Sequence, residues 1–289
     1  MDGLILFSRV LLTGFLSQVD EFSIQNYSNL FEPNVIINSQ WFPSPESSWS
    51  REMCKYRADE LIKSSPWSFT NKTILTQSGD PRDYLRWAVY YWQGCSETGN
   101  TTELSPRQVW TTCQYKRRDG TVNLVQNSEA LINVSSSVFL SALAYVFTNI
   151  SKHSAHLNHA LLTIFINEET KMNPNLHCSQ VVRGPGSGIG KQTGELDMTI
   201  IAKMVSSLQN MKILKPLEQK QETKDGFLAR ANKQMEWFEV NQLALDEKAS
   251  PNDHGSFYHN QLIPLLAFAG NFEHAKMHLE EFYNGICLG

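Results

Sequence analysis

The chain has 289 residues, of which 41 % are hydrophobic and 19 % are charged. This composition is typical of a folded domain and excludes intrinsic disorder. There are 25 Lys and Arg residues against 29 Asp and Glu, which gives a formal net charge of −4 and no indication of a nucleic-acid partner. A membrane-spanning helix needs about 18 consecutive apolar residues. The best candidate, Leu4 to Leu16, is interrupted by Arg9, so we expect no membrane partner.

The N-terminal residues are mixed in character. Leu4-Ile5-Leu6-Phe7 and Val10-Leu11-Leu12 resemble the apolar part of a secretion signal, whereas Asp2 and Arg9 are atypical of one. We therefore assign residues 1–35 to a leader or irregular extension and residues 36–289 to one domain. Acceptors for N-glycosylation favour a secreted, extracellular glycoprotein. They occur at Asn26, Asn71, Asn100, Asn133 and Asn149.

Residues 66–119 are rich in aromatic residues, glycine and turn formers, and we predict long surface loops there. Cys95 and Cys113 flank a polar stretch and could form a disulfide in an oxidising compartment. The chain has five cysteines, so at least one thiol stays free. None forms the Cys-x-x-Cys motif of a zinc ribbon.

Helical periodicity dominates the rest of the chain. Apolar residues recur on one face in several segments, namely Val134–Phe147, Leu157–Phe165, Leu196–Leu214, Phe227–Leu245, Ser256–Ala269 and Phe272–Tyr283. Convincing strand patterns are scarce. Because consecutive amphipathic helices with short connections bury their faces by antiparallel pairing, the sequence predicts an all-α fold. The absence of a strict repeat makes a regular solenoid the weaker choice.

Two motifs suggest ligand sites but fail in detail. His153, His156 and His159 recur every third residue, which places the outer two about 120° apart on a helix, so we predict a polar helix face and no metal site. The glycine-rich run 183–191 resembles a nucleotide loop, yet Pro185 and Gln192 replace residues that a Walker loop needs. We predict a loop between helices and no cofactor.

The segment Asn252-Asp253-His254-Gly255-Ser256-Phe257-Tyr258 has two interpretations. On a helix, His254 and Tyr258 lie one turn apart, and Gln261 extends that face. Such a face could bind an acidic sugar and move protons. In the alternative, Ser250 caps an ordinary helix with Pro251 in its first turn, and Asp253 is a first-turn acid.

Four blocks follow one another in the order found in one known family. They are Ser78-Gly79-Asp80-Pro81-Arg82-Asp83-Tyr84-Leu85 with Tyr90-Tyr91-Trp92, Arg118-Asp119-Gly120, Met172-Asn173-Pro174-Asn175 with Gln180-Val181-Val182-Arg183, and the segment that contains His254. On these blocks the chain resembles the alginate lyase domain family, particularly its fungal branch. The resemblance implies an (α/α) toroid that cleaves uronic-acid polysaccharides by β-elimination.

The resemblance also implies roles for individual residues. A lyase removes the C5 proton beside a carboxylate, so the carboxylate must be neutralised as charge develops on it. His254 would be the neutraliser or the base, Asp253 would hold the position of the family's amide, and Tyr258 could replace a missing tyrosine. The sugar groove would be lined by Asn175, Gln180, Arg183, Tyr84, Arg86 and Trp92.

Two departures from the family pattern shape the hypotheses. Asp253 stands where the family has Asn, and the family's later Arg and Tyr have no counterpart before Gly289. We therefore expect an incomplete, C-terminally truncated toroid that acts on an alginate-like or glucuronan-like chain. The alternative is a catalytically impaired carbohydrate-binding remnant. A glycoside hydrolase would need paired carboxylates facing a cleft, and no pair stands out.

Overall fold

A computed structural model describes residues 45–64, 67–88, 92–95, 105–116, 125, 127–182, 188–214 and 220–287. The elements in chain order are α1 Pro45–Ser64, β1 Trp92–Gly94, α2 Pro106–Thr112, β2 Gln114–Lys116, α3 Asn127–Thr148, α4 Ser151–Leu161, a π-helical turn Leu162–Ile166, a 3₁₀ segment Gln192–Met198, α5 Ile201–Leu214, α6 Gln221–Val240, α7 Gln242–Lys248, α8 Asp253–Ala269 and α9 Phe272–Cys287. The predicted all-α class is confirmed, with one short β-ladder added.

Short connections arrange the helices in neighbouring pairs. Two residues separate α3 from α4 and two separate α8 from α9, a length typical of antiparallel helix hairpins. Gly270 ends α8 with a φ of 84°, a left-handed conformation that glycine adopts without strain. Helix α3 packs on α1, α4 and α5, and α8 packs on α5, α6, α7 and α9. The core lies between these two central helices and their neighbours.

The apolar faces predicted from periodicity form this core. On α5, five residues of the predicted face are all at most 1 % exposed, namely Ile201, Met204, Val205, Leu208 and Met211. They join one large cluster with residues of α3, α6 and α8. Helix α3 is also long and apolar enough to cross a membrane, although 61 % of its apolar window is buried inside the protein. Serines interrupt the apolar residues of this helix, so its sequence contains no long uninterrupted apolar run.

Three sequence predictions are corrected by the structure. His153 and His156 are buried and not part of a polar face: His153 lies 3.5 Å from the Asp59 carboxylate, and His156 Nε2 is hydrogen-bonded to Ser137 Oγ. The predicted helix Phe227–Leu245 is two helices, because Asn241 is extended and its side chain caps α7. Part of the predicted surface loop belongs to the core, since Phe69 and Tyr84 are at most 1 % exposed.

The predicted disulfide is present. Cys95 and Cys113 are bonded, with their Cα atoms 4.8 Å apart. The bridge follows directly on the antiparallel pairing of β1 with β2, in which Gly94 lies opposite Gln114. Cys54 and Cys178 are free thiols in the part of the chain that the structure describes.

Candidate functional site

The start of α8 presents the predicted imidazole. Asn252 caps the helix by accepting a hydrogen bond from the backbone N–H of His254 at 3.0 Å, so the cap is Asn252 and not Ser250 as the sequence suggested. Gly255 is required by the packing, because a Cβ there would lie 2.8 Å from the Ser250 carbonyl oxygen. This close approach brings the chain that ends α7 against the first turn of α8.

The close approach places a carboxylate directly beside His254. His254 Nδ1 lies 2.7 Å from Glu247 Oε1. The Glu247 side chain is fully buried, whereas the His254 side chain keeps 27 % of its surface exposed. With Nδ1–H donating to the carboxylate, Nε2 is the free nitrogen, and it makes no hydrogen bond to any described residue. An imidazole oriented by a buried carboxylate is the arrangement of a positioned base.

A second buried carboxylate lies near this pair. Glu195, in the 3₁₀ segment, is 2 % exposed. Burial, followed by the charge of Glu247, raises the pKa of Glu195 to about 9. Burial also raises the pKa of Glu247, against the opposing effect of His254. Burial and the charge of Glu247 therefore favour the neutral form of Glu195 at pH 7, whereas the contact with His254 favours the charged form of Glu247.

The other end of the 3₁₀ segment gathers polar groups from distant parts of the chain. Asp197 accepts hydrogen bonds from Tyr84 Oη at 3.1 Å and Ser179 Oγ at 2.5 Å, and it forms an ion pair with Arg86. The Asp197 side chain is 2 % exposed and that of Arg86 is 25 % exposed. Burial raises the pKa of Asp197, while the charge of Arg86 opposes that rise. Arg86 therefore presents a guanidinium that is fixed from behind and partly open to solvent.

Two of the blocks that carry the family resemblance contact each other. Asn173 Nδ2 donates to Asp80 Oδ2 at 3.1 Å and to Asp83 Oδ1 at 2.7 Å. Asp80 is also held by the Arg82 guanidinium, which is the first cause of a pKa well below its usual range. These bonds attach the loop that contains Asn175 to the loop that contains Tyr84 and Arg86.

The loop 175–180 is itself closely constrained. Asn175 Oδ1 accepts from the His177 N–H at 3.2 Å. Gln180 has a φ of 53°, and its amide group exchanges two hydrogen bonds with Thr193, each 3.0 Å long. Gln180 thus fixes the loop to the 3₁₀ segment, and its amide is occupied by that contact. Asn175 is half-buried at the surface of the same loop.

Sequence reasoning missed His177, which lies between these two residues. Its side chain is exposed, and its Nε2 accepts a hydrogen bond from Trp237 Nε1 at 3.2 Å. The two rings meet edge to face with centroids 5.7 Å apart. Trp237 stands in the last turn of α6, next to Phe238, whose carbonyl oxygen accepts from Tyr258. The loop is therefore anchored to α6 as well as to the 3₁₀ segment.

The structure separates the predicted site residues into two groups. His254, Asn175 and Arg86 reach the surface in part, and Asp253 is exposed. Tyr258 and Tyr84 are each 1 % exposed. The Tyr258 hydroxyl donates a hydrogen bond to the Phe238 carbonyl oxygen, and the Tyr84 hydroxyl donates one to Asp197. Neither tyrosine therefore lines a groove or shuttles a proton at the surface. Gln261, on the same helix face, is also fully buried.

The side chains of two further predicted site residues are not described by the structure. Arg183 lies outside the described residues, and Trp92 is described only through its backbone in β1.

A cavity of about 330 Å³ lies beside Leu85, Trp87 and Val181. Because successive side chains of an extended segment alternate in direction, this cavity is on the face opposite Tyr84 and Arg86.

Glycines allow the 3₁₀ segment to approach Ser179. A Cβ on Gly194 would lie 2.5 Å from the Ser179 carbonyl oxygen and 2.6 Å from its Cβ. We expect Gly194→Ala to destabilise the fold by about 1–3 kcal/mol, since the backbone must shift to admit the methyl group. Urea unfolding followed by circular dichroism measures this, with Gly285→Ala as the control because a Cβ there meets no atom within 4 Å. Equal stability of the two variants would contradict the packing argument.

The Tyr84 hydroxyl contributes to the same cluster. We expect Tyr84→Phe to lower the free energy of unfolding by about 1.5–3 kcal/mol, because Asp197 loses one of its hydrogen-bond donors. Tyr56→Phe is the matched control, since Tyr56 is 55 % exposed. Chemical denaturation of both variants tests this. A Tyr84→Phe variant as stable as the control would show that the hydrogen bond contributes nothing net.

Comparison with known proteins decides the family. The profile of the alginate lyase family matches residues 68–289. The chain belongs to the alginate lyase family. None of the curated proteins matches the chain.

A solved structure agrees with this assignment. The fold matches the crystal structure of an alginate lyase from Bacteroides ovatus with a TM-score of 0.71 and 25 % sequence identity. The match covers 84 % of this chain and 61 % of that chain, so the present chain spans less than two thirds of that protein's length. The (α/α) toroid class predicted from the resemblance is thereby confirmed. The lower boundary of the domain, predicted at residue 36, stays a prediction.

Proposed function

We propose that this member of the alginate lyase family cleaves a uronic-acid polysaccharide by β-elimination, with His254 as the base. The observation that carries the proposal is the Glu247–His254 pair, in which a buried carboxylate orients an imidazole that is still open to solvent. The partner is an anionic polysaccharide of the alginate-like or glucuronan-like type.

The geometry supports a division of tasks. His254 Nε2 takes the proton from C5, and the electrons of the C5–H bond form the C4–C5 double bond. The C4–O4 bond breaks and O4 takes a proton from water, while the imidazolium returns its proton to solvent. Glu247 stabilises the imidazolium that forms, as a carboxylate behind a catalytic histidine does. Arg86 neutralises substrate charge, since its guanidinium is fixed by Asp197 and partly exposed. The 3₁₀ segment connects the two groups, because it contains Asp197 and packs on α7 and α8.

Incubation with defined polyuronates tests the reaction. Purified protein is mixed with polymannuronate, polyguluronate or polyglucuronate, and ultraviolet absorbance reports the unsaturated product. We expect absorbance to rise with at least one polymer and to stay flat with a neutral polysaccharide. No rise with any polyuronate would refute catalysis by this chain.

A second candidate is a carbohydrate-binding protein of impaired activity. The exposed carboxylate of Asp253 favours it, because an ionised Asp accepts hydrogen bonds only and repels the carboxylate of a substrate. This candidate predicts retarded migration in a polyuronate-containing gel without product. Asp253→Asn separates the two functions, since an impaired lyase gains activity from the amide whereas a binding protein stays inactive.

Secretion is part of the same proposal. The Cys95–Cys113 disulfide supports an oxidising compartment, and the glycosylation acceptors Asn71 and Asn149 are exposed. Expression in a eukaryotic secretory host, followed by enzymatic removal of N-glycans, tests it. A downward shift in mass on deglycosylation supports export, and an unchanged mass with free Cys95 and Cys113 thiols contradicts it.

A further inference from the structure

Histidine and glutamate side chains converge where α9 packs beside α8 and the last turn of α6. Two overlapping groups are formed, and no member of either has a role in the reaction proposed above. The first consists of Glu239, His274 and His278, and the second of His259, His278 and Glu281. In each group, one possible ligand atom per residue lies within 4.8 Å of the others.

The first group has the geometry of a metal site. His274 and His278 are four residues apart on α9, so both rings project from one helix face. His274 Nε2 lies 3.1 Å from Glu239 Oε1, and His278 Nε2 lies 3.7 Å from the same oxygen. Ligand atoms about 2.0–2.1 Å from a tetrahedral zinc ion are separated by about 3.3 Å from one another. The observed distances lie on either side of that value.

Two buried polar atoms in this cluster lack hydrogen-bond partners. Glu239 Oε1 is buried and accepts no hydrogen bond, although His274 Nε2 is only 3.1 Å away. His278 is 7 % exposed, and its Nδ1 is buried without a hydrogen-bond partner in the part of the chain that the structure describes. A buried imidazole without a partner is costly. An ion between Glu239 Oε1 and the Nε2 atoms of the two histidines gives the glutamate oxygen a partner.

We propose that Glu239 Oε1, His274 Nε2 and His278 Nε2 bind one Zn²⁺ ion, with a water molecule as the fourth ligand. Two imidazoles and a carboxylate are a common protein ligand set for zinc.

The second group supports the proposed site, because its Glu281 orients a ligand without binding the ion. Glu281 is held by Lys248 at 2.7 Å, so its charge is already compensated. Its other oxygen, Oε2, lies 3.4 Å from His278 Nδ1. When Nε2 binds the ion, Nδ1–H can donate to Glu281, and such carboxylate–histidine–metal contacts orient the ligand and strengthen it. The same ring cannot give Nδ1 to a second ion at the same time.

The ion would connect two helices. Helix α9 packs on α8, and α8 packs on α6, whereas the ligands come from the end of α6 and the first two turns of α9. Binding would therefore stabilise the docking of α9, in the way that a structural zinc ion adds its binding free energy to folding.

The test uses the full chain after treatment with a chelator. We expect calorimetric titration with ZnCl₂ to give one ion per chain, a higher melting temperature with zinc, and, with Co²⁺ as a probe, the visible absorption of tetrahedral cobalt. Glu281→Gln should weaken zinc binding by about 10- to 100-fold, and His274→Ala, which removes a direct ligand, should weaken it by more. His159→Ala is the matched control, because His159 is exposed on α4.

Several outcomes would overturn the proposal. Absence of stoichiometric binding would do so, as would equal zinc affinity in His274→Ala and His159→Ala proteins that share the parent's circular dichroism spectrum. Binding that survives His274→Ala and is lost in His259→Ala would place the ion in the second group. None of these measurements depends on lyase activity, so the zinc site and the proposed reaction can fail separately.

Discussion

Replacement of His254 by alanine is expected to reduce the rate of polyuronate cleavage by about 10²- to 10⁴-fold, the usual contribution of a positioned acid–base group. The reason is geometric: His254 is the partly exposed imidazole that the buried Glu247 orients. The initial rate of ultraviolet absorbance at saturating polymer measures the effect on kcat. Gel retardation should be nearly unchanged, because the proton-transfer group acts mainly in the transition state.

Glu247→Gln distinguishes orientation from charge. The amide keeps the shape of the side chain but removes the negative charge that stabilises the imidazolium. We therefore expect a loss of up to about 10⁴-fold in kcat, no larger than that of His254→Ala. His159→Ala is the control on an exposed histidine elsewhere. The same control applies to the first prediction. If His254→Ala and His159→Ala cleave polyuronate at the same rate, His254 is not the base.

The helical core was accessible from sequence because it depends on local periodicity. The burial of residues such as Val205 and Leu208 on α5 is predicted by their spacing, which is that of any amphipathic helix. The disulfide could be named as a possibility because Cys95 and Cys113 flank a single polar loop. The break at Asn241 was missed, because the apolar pattern runs across it and only the capping role of the asparagine marks the boundary.

The candidate site could be predicted only in part from the sequence, because its main contacts join residues that are far apart in the chain. Asp197 meets Arg86 from more than a hundred residues away. Charged residues are usually exposed, so nothing in the sequence indicated that Glu195 and Asp197 are buried. A signal did exist in Gly190 and Gly194, which mark a close backbone approach.

The tyrosines show the opposite error. Tyr84 and Tyr258 were placed at the site because of their motifs, yet both side chains are in the core and support neighbouring groups. A motif identifies residues that belong near a site, but burial decides which of them can touch a substrate. The prediction of a polar face for His153 and His156 was wrong for a related reason, since burial cannot be deduced from sequence spacing alone. His153, His156 and His159 were considered together because they are close in sequence, while Glu239 and His278 meet only through packing.

Glu195→Gln is expected to remove most of the loss of stability between pH 5 and pH 9. Glu195 has an ordinary pKa of 4.5 when unfolded and a pKa of about 9 in the folded protein. Because the folded state holds this proton more tightly, the stabilising contribution is complete below about pH 4.5 and is lost as pH rises towards 9. The loss is on the order of 5 kcal/mol for a shift of this size.

Urea unfolding at pH 5, 7 and 9 tests the effect. The glutamine side chain stays neutral throughout, so the variant should be more stable than the parent at pH 9 and similar to it at pH 5. Glu222→Gln is the control, because Glu222 is exposed in the first turn of α6. The free energy of unfolding of the variant should still fall somewhat as pH rises, since burial also raises the pKa of Glu247. If the parent and Glu195→Gln lose the same stability by pH 9, Glu195 is already ionised at neutral pH and Glu247 is not the sole carboxylate charge behind His254.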